Sequence, residues 1–595
     1  MKTAQFEQQK KYYEALFTEQ NKRFKTIGYI KLIHVLFVGW LIYFILFGDG
    51  NTTLLIGSGV IAALFVIFWI YHEKLKKELN YSRGMIDINR RHLNRISGNW
   101  SEFTDVGSEF IDRDHPYSSD LDMVGKKSVF QFLNTTHTWH GRQRFVDDLL
   151  APDYSEEEII ARQQAIAELS EDVEFTNHME YLFEQIGVHG AARFIAKRLE
   201  NPKTFLKSDL LKLIAIYGPL ATLLFIGIIW LLELTALYPL LLALIGIHFL
   251  TWLLTFFKVA KYLEDVAHLS YNLDEYSDAF SGLKDRSFKS EKLKEIQECL
   301  ASSEVAADVA IKELGQIASR ANLRRNTIAW IILNLTLLWD MTTAIRFQEW
   351  KKKYAKHAES WFISLGEFES LLAFSHLPNV CQTTCIPTFN RDKIVKAKEI
   401  GHPLINNERR VANDMVCENN IFIISGSNMS GKTTFMRTVG VNLVLARTGS
   451  YVCAKEMETS QLDLVTSMRI ADNLSEGIST FYAELKRIKS MMEQAKSNPH
   501  TMFLIDEIFR GTNSVDRLIG AKTVLEKLNE LGVIGMITTH DLELCDMVNQ
   551  LPRIKNYSFS EQYVDNEIRF DYNMKEGIST TTNAKYLMQM MNIVD

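Results

Sequence analysis

The stretch Gly426-Ser427-Asn428-Met429-Ser430-Gly431-Lys432-Thr433 sets two glycines, a lysine and a hydroxyl at the spacing G-x4-G-K-[ST]. Each residue type answers a demand of a bound triphosphate. Glycines let the backbone wrap closely around phosphate oxygens, while successive N–H groups and the N-terminus of a following helix, entered at Thr434, attract the negative charge. Lys432 reaches the terminal phosphates and the Thr433 hydroxyl coordinates magnesium. Farther along, Asp506 and Glu507 form an adjacent carboxylate pair. Asp506 is suited to hold the magnesium ion through water, and Glu507 to orient and deprotonate the attacking water. His540 brings an imidazole toward the γ-phosphate. The chemistry expected is ATP hydrolysis, with ATP and Mg2+ as the cofactors and no other small-molecule substrate.

These groups need a parallel sheet to converge. The apolar, β-prone run Ile421-Phe422-Ile423-Ile424 predicts a buried strand before the glycine loop, and Thr434 to Ala446 predicts the helix after it. A second strand, Met502 to Ile505, delivers Asp506 and Glu507 to the sheet's C-terminal edge, where open α/β sheets bind ligands. A third, Met536 to Thr539, ends at His540. Near the end, Asn556 to Ser560 and Glu567 to Tyr572 alternate as a β-hairpin around Asp565-Asn566, before a last helix from about Asn583.

Upstream, four apolar stretches have the length of bilayer-crossing helices and come as two pairs. One pair runs from about Leu32 to Phe47 and from Thr53 to Tyr71, the other from about Leu213 to Leu232 and from Ala236 to Phe257. Lys22, Arg23, Lys25, Lys74, Lys76 and Lys77 flank the first pair, and Lys207, Lys212, Lys258 and Lys261 the second; the tight turns carry no lysine or arginine. By the positive-inside rule both turns face outward, and the N-terminus, the segment from about His72 to Leu211 and everything after Lys258, the ATPase domain included, face the cytoplasm, as in a multi-pass protein of the cytoplasmic (inner) membrane. Intramembrane His34 and His248 read as helix-packing residues. A further run, Ile328 to Trp339, is too short to span and reads as a helix packed inside protein.

At 595 residues the chain calls for several domains, and its net charge of −6 gives no strongly basic surface for a phosphate backbone. Six cysteines without zinc-ligand spacing point to a reducing compartment, with Cys381 and Cys385 as idle thiols. The expected organisation is a cytoplasmic segment 1–26, hairpin one at 27–71, a helical half at 72–206, hairpin two at 207–258, a second helical half at 259–375, and the ATPase domain at 376–595.

Taken in order, the glycine loop with its Asn428-Met429 pair, Ser479-Thr480-Phe481 with Glu484, Asp506-Glu507-Ile508-Phe509-Arg510-Gly511-Thr512-Asn513, and Thr539-His540 resemble the ATPase domain of the MutS family of DNA mismatch-repair proteins. More weakly, Met123 to Glu168, through Gly141, Arg142, Phe145 and Leu149, resembles the start of that family's helical core and lever. The resemblance implies an ABC-type α/β P-loop ATPase domain preceded by an α-helical core and lever domain, here interrupted by two transmembrane hairpins. It also implies a homodimer through the ATPase domains, in which Ser479 reaches the γ-phosphate held by the opposite subunit and Gly511, Thr512 and Asn513 lie at the shared interface. The position at which the family stacks an aromatic on adenine falls on Arg410, whose guanidinium plane can still stack. The mismatch-reading N-terminal domain has no counterpart, and the second hairpin falls about where the family inserts its DNA clamp. Two readings follow: a membrane-anchored ATPase coupled to double-stranded DNA, or a membrane mechanochemical or signalling ATPase without nucleic acid.

Overall fold

A computed structural model of the protein describes residues 2–47, 52–187, 209–267, 273–301, 305–469, 480–509, 513–564 and 567–579. The chain forms two compact units. One comprises Met1–Leu133, Val173–Tyr181 and Ser375–Asp595, the other Asn134–Asp172 and Leu182–Phe374.

The first unit is built on a six-stranded sheet in the order Glu567–Glu576, Ile554–Val564, Ile421–Gly426, Ile534–Thr539, Thr501–Asp506, Asp463–Ser467. The five strands from Ile554–Val564 onward are parallel, and Glu567–Glu576 closes the edge antiparallel. Ile421–Gly426, Thr501–Asp506 and Ile534–Thr539 are buried at every position, as unbroken apolar runs in a sheet covered on both faces should be. All three expected strands and the expected β-hairpin are present, whereas Asp565, Asn566 and the helix expected from Asn583 lie outside the described residues. A smaller sheet, Thr388–Phe389, Glu456–Thr459, Ile394–Ile400 and Asn413–Glu418, stands beside the first in the same unit.

Two long helices, Thr3–Phe47 and Thr52–Ser97, belong to this unit and contain the first apolar pair. They pair along their length: His72 stacks on Phe24 with ring centroids 4.2 Å apart, Lys31 lies 4.1 Å above the Trp69 ring, and His34 Nε2 is 2.9 Å from the Ile61 carbonyl. Residues 48–51 of the turn between them lie outside the described residues. Both helices run past their apolar stretches on the side away from the turn: Thr3–Phe47 starts in polar sequence, and Thr52–Ser97 continues into polar sequence without a break.

The second unit is helical. Glu369 is fully buried and its carboxylate accepts from the Thr138 hydroxyl and from the backbone N–H groups of His137 and Thr138; burial raises its pKa. A Cβ at Gly141 would meet Glu369 Oε2 at 1.8 Å, so glycine there is what lets the helix Trp139–Leu150 come so close. The second apolar pair forms the helices Asp209–Leu232 and Tyr238–Ala267. Among the described residues, Leu210–Leu232 and Thr235–Glu264 are long and apolar enough to cross a membrane.

One expectation is corrected. The run from Ile328 forms a separate helix, Thr327–Leu337, that is not enclosed by protein: Ile328 is 74% and Ile332 55% exposed, and Asn334 is its buried residue. The missed cue is at its end, where Leu338 takes a left-handed conformation (φ 45°) and the chain bends by 78° into Trp339–Ser375.

Candidate nucleotide site

The loop from Gly426 to Gly431 joins the strand Ile421–Gly426 to the helix Lys432–Arg447. Gly426 has φ 148°, and a Cβ there would meet the Phe559 carbonyl oxygen at 2.5 Å; Gly431, at φ 109°, would press on Tyr572 Cδ1 at 3.1 Å. Glycine is therefore required at both positions by strand and hairpin packing as well as by ligand approach. Met429 takes φ 67° and is 84% exposed at the loop's tip. Lys432 is buried, and its Nζ donates to the carbonyls of Gly426 and Ser427 at 2.8 Å each, so the ammonium sits inside the loop. Ser427 Oγ donates to Glu561 Oε2 at 2.8 Å, and the buried Ser430 Oγ has no hydrogen-bond partner among the described residues.

Across from the loop, Asp506 Oδ1 accepts from Thr433 Oγ1 at 3.0 Å and from Thr538 Oγ1 at 2.6 Å. Sequence-distant Thr433 and Asp506 thus meet with the donor set of a hard divalent cation, oxygen only. Glu507 takes φ 52° and is fixed by its N–H donating to Thr538 Oγ1 at 3.1 Å. His540 Nε2 lies 2.6 Å from Glu507 Oε1 and 2.9 Å from Asn428 Oδ1. Asp541, next in sequence, is held by Arg517 through contacts of 2.8 and 3.0 Å.

Asn428 through Thr434, Asp506 and Glu507 border a cavity of about 870 Å³, while His540 stands behind Glu507 outside its lining. Its other end is formed by His402, Ile405, Val411 and Tyr572. Burial, helped by the Arg437 and Arg410 guanidiniums, pushes the His402 pKa down to about 3, so this wall is a neutral ring near pH 7. Tyr572 is presented by the β-hairpin edge, where Asn413 Nδ2 donates to its carbonyl at 3.0 Å and Asn413 Oδ1 accepts from Met574 N at 2.7 Å.

Arg410 does not line this cavity, which corrects its expected place against a base. Its guanidinium is turned the other way, donating to the carbonyls of Ile405 (2.9 Å) and Pro403 (3.4 Å) and lying 3.8 Å from Cys381 Sγ. The neighbouring side chains of Arg409 and Val411 face the cavity instead, and the exposed aromatic there is Tyr572. Sequence reading had Tyr572 only as the end of a strand, because the closure that brings it over Gly431 is three-dimensional. Ser479, Gly511 and Thr512 lie outside the described residues. Asn513 caps the helix Ser514–Glu530 by accepting from Asp516 N at 2.9 Å.

Two further clusters escaped the sequence. Asp120 accepts from Thr466 Oγ1 (2.7 Å), Met468 N (3.0 Å) and Arg469 N (2.9 Å), and Asp122 pairs with Arg437 of the loop helix at 2.9 Å. Together they hold the end of the strand Asp463–Ser467, just before the segment that contains Ser479. Deeper in the same unit, Glu180 Oε2 lies 3.7 Å from His92 Nε2 and 3.8 Å from His376 Nε2, all buried. His92 Nε2 is also 3.1 Å from Asn177 Oδ1, an acceptor because the Asn177 amide nitrogen donates to Gln9 and Asn89. That nitrogen consequently carries a proton, and Arg91 adds a positive charge 2.8 Å from Glu180 Oε1. Such an arrangement is a polar core network rather than a cation site. The six cysteines are free thiols, with Cys381 held below the usual thiol range by a hydrogen bond from Cys453 and by Arg410.

Residues 422–593 match the family model for MutS domain V, an ATPase domain. Over 274 residues the chain is 28% identical to the DNA mismatch repair protein MutS of Lysinibacillus sphaericus, covering 44% of this chain and 32% of that protein. It is 30% identical over 217 residues to the DNA mismatch repair protein MutS of Chloroflexus aurantiacus, covering 35% and 22% respectively. The chain therefore spans a third or less of the length of these relatives, and the shared part is the one that carries the loop, the carboxylate pair and the histidine described above. Through that domain the chain is similar to the MutS family.

Proposed function

We propose that the protein is a membrane-anchored ATPase of the MutS type that binds MgATP in the cavity between Lys432 and Tyr572, hydrolyses it across a homodimer interface, and couples the cycle to double-stranded DNA. The observation that carries the hydrolytic part is the convergence of Thr433, Asp506 and Glu507 on one wall of the cavity, with His540 2.6 Å behind Glu507. Thr433 and Asp506 hold Mg2+, Lys432 leaves its carbonyl partners for the terminal phosphates, and Glu507, oriented by His540, takes the proton of the attacking water. Ser479 of the opposite subunit completes the γ-phosphate shell. The base lies on Tyr572, with His402 and Val411 on the surrounding wall. Membrane anchorage is supported by the two apolar helices of the second pair and by the lysines and arginines at the outer ends of both pairs.

The test is ATP turnover of the full chain in lipid nanodiscs, with and without duplex, mismatched and branched DNA, over a range of salt. DNA-stimulated turnover that declines with salt supports the coupling; unchanged turnover together with no binding at low salt removes DNA from the proposal. Lys432→Ala is expected to abolish nucleotide retention, and normal retention in that variant would overturn the site itself.

A second reading is favoured by one observation: each compact unit contains one of the apolar pairs, and in the unit that holds the ATPase sheet the helix Thr52–Ser97 is continuous from the apolar stretch into polar sequence. On that reading dimerisation driven by nucleotide moves the hairpins to remodel or signal across the bilayer without nucleic acid. Turnover that responds to lipid composition but not to DNA distinguishes it.

A further inference from the structure

The helix Thr327–Leu337, Thr-Ile-Ala-Trp-Ile-Ile-Leu-Asn-Leu-Thr-Leu, contains no charged residue in 11 positions. At 1.5 Å per residue it is roughly 16 Å long, about half the hydrocarbon thickness of a bilayer. It packs against the second apolar pair: Trp330 meets Trp252 at 5.2 Å and Phe256 at 6.1 Å between ring centroids. Its other side presents Ile328, Ile331 and Ile332 outward, as the neighbouring helix presents Leu250, Leu253, Leu254 and Phe257. A surface helix in water does the reverse, turning its isoleucines in and its polar residues out.

Its ends point the same way. A helix that stops within hydrocarbon leaves carbonyls that no water can serve, each costing several kcal/mol. Here they are served by protein. His248 Nδ1 lies 3.0 Å from the Leu335 carbonyl, and Leu338 N donates to Asn334 O at 3.2 Å. The buried Asn334 side chain donates to Trp330 O at 2.9 Å and accepts from Asp340 N at 3.0 Å. At the other end, Asn326 Oδ1 accepts from Ala329 N at 3.3 Å. Asp340, past the bend, is 2.9 Å from both Trp330 Nε1 and Arg324 Nη2, and Arg324 also reaches the Ala260 carbonyl at 3.5 Å, beside the lysines Lys258 and Lys261 that end the apolar span. His248 lies about ten residues from the opposite end of its helix, roughly 15 Å along the axis, and so places Leu335 well inside the apolar span.

From these contacts we infer that Thr327–Leu337 is a re-entrant half-span: it dips into the bilayer beside the second hairpin, bends back at Leu338, and sets Ile328, Ile331 and Ile332 against lipid acyl chains. The inference rests on the membrane reading above, and the experiment separates the two. The full chain is placed in nanodiscs with a genetically encoded environment-sensitive fluorescent residue at Ile332, at Ile328, or, as reference, at Leu254 on the spanning helix. Emission is then quenched by doxyl groups on lipid acyl chains or by aqueous iodide. Loss of emission with doxyl lipids and not with iodide at Ile332 and Ile328, matching Leu254, supports the half-span. Iodide quenching at Ile328 and Ile332 with doxyl quenching at Leu254 overturns it and leaves the anchored hairpin standing. Protection of Ile332 from both quenchers also overturns it, by showing that protein, such as a second copy, covers this face. Iodide quenching at all three positions removes the membrane reading altogether.

Discussion

Polar side chains serve opposite ends in the nucleotide cavity and around the half-length helix. At the cavity, Lys432 rests on the carbonyls of Gly426 and Ser427, Thr433 on Asp506, and Glu507 on His540 just behind it, at the open edge of a sheet where phosphate, magnesium or water can take the place of each partner. Around Thr327–Leu337, by contrast, His248, Asn334, Asp340 and Arg324 are committed to backbone carbonyls, an N–H and each other, with apolar surface facing outward. The first set is arranged to be displaced by a ligand and the second to remain closed. Polarity alone therefore does not mark a site; whether the partners can be replaced does.

The strongest way to break this contrast is at Glu507. Glu507→Gln should still bind ATP while turnover falls by about 10²–10⁴-fold and dimers accumulate, as for loss of a general base; single-turnover hydrolysis and size-exclusion chromatography with ATP read both, and undiminished turnover would remove Glu507 from the chemistry. Next comes Asp340. Asp340→Ala strands Arg324 and should lower unfolding stability by about 3 kcal/mol without changing ATP affinity, since a broken buried pair leaves an uncompensated charge; a nucleotide-affinity change of comparable size would show that the two sets are not independent.

An intermediate case is His376, buried in the ATPase-bearing unit with its Nε2 3.8 Å from Glu180 Oε2. Burial lowers its pKa from 6.5 to about 4. Between those values the unfolded chain takes up a proton that the folded chain refuses, so this contribution is complete above pH 6.5 and is lost as the pH falls toward 4, amounting to roughly 3 kcal/mol. Unfolding measured across that window should show a shallower slope in His376→Gln; an identical slope excludes His376 as the group responsible. The smallest effect is expected at the base end of the cavity. Tyr572→Ala should weaken ATP binding about tenfold, in line with the 1–3 kcal/mol of base stacking, whereas Arg410→Ala should leave it within about twofold. The reverse ranking, by titration calorimetry, restores Arg410 to the base.

The sheet and the residues at its C-terminal edge were legible because they are neighbours in sequence or follow buried apolar strands directly: Gly426 to Thr433, Asp506 with Glu507, and Thr539 with His540. The far wall of the cavity was not, because Tyr572, His402 and Val411 come together only through the β-hairpin and the smaller sheet. Arg410 was misplaced for a local reason, since one residue's difference in loop position turns its side chain from the cavity toward Cys381. The length and apolar character of the second pair were readable in the sequence, but the run from Ile328 was not, because a short uncharged helix reads the same whether protein or lipid covers it, and only the exposure of Ile328 and Ile332 separates the two.

The helix Thr52–Ser97 carries 46 residues without a break, and at 1.5 Å each that is a rod of roughly 69 Å. A tilt of about 5° at its polar end sweeps the apolar tip sideways by about 6 Å. Small angular changes in the body that grips it are thereby geometrically amplified, with no hinge along the shaft to absorb them.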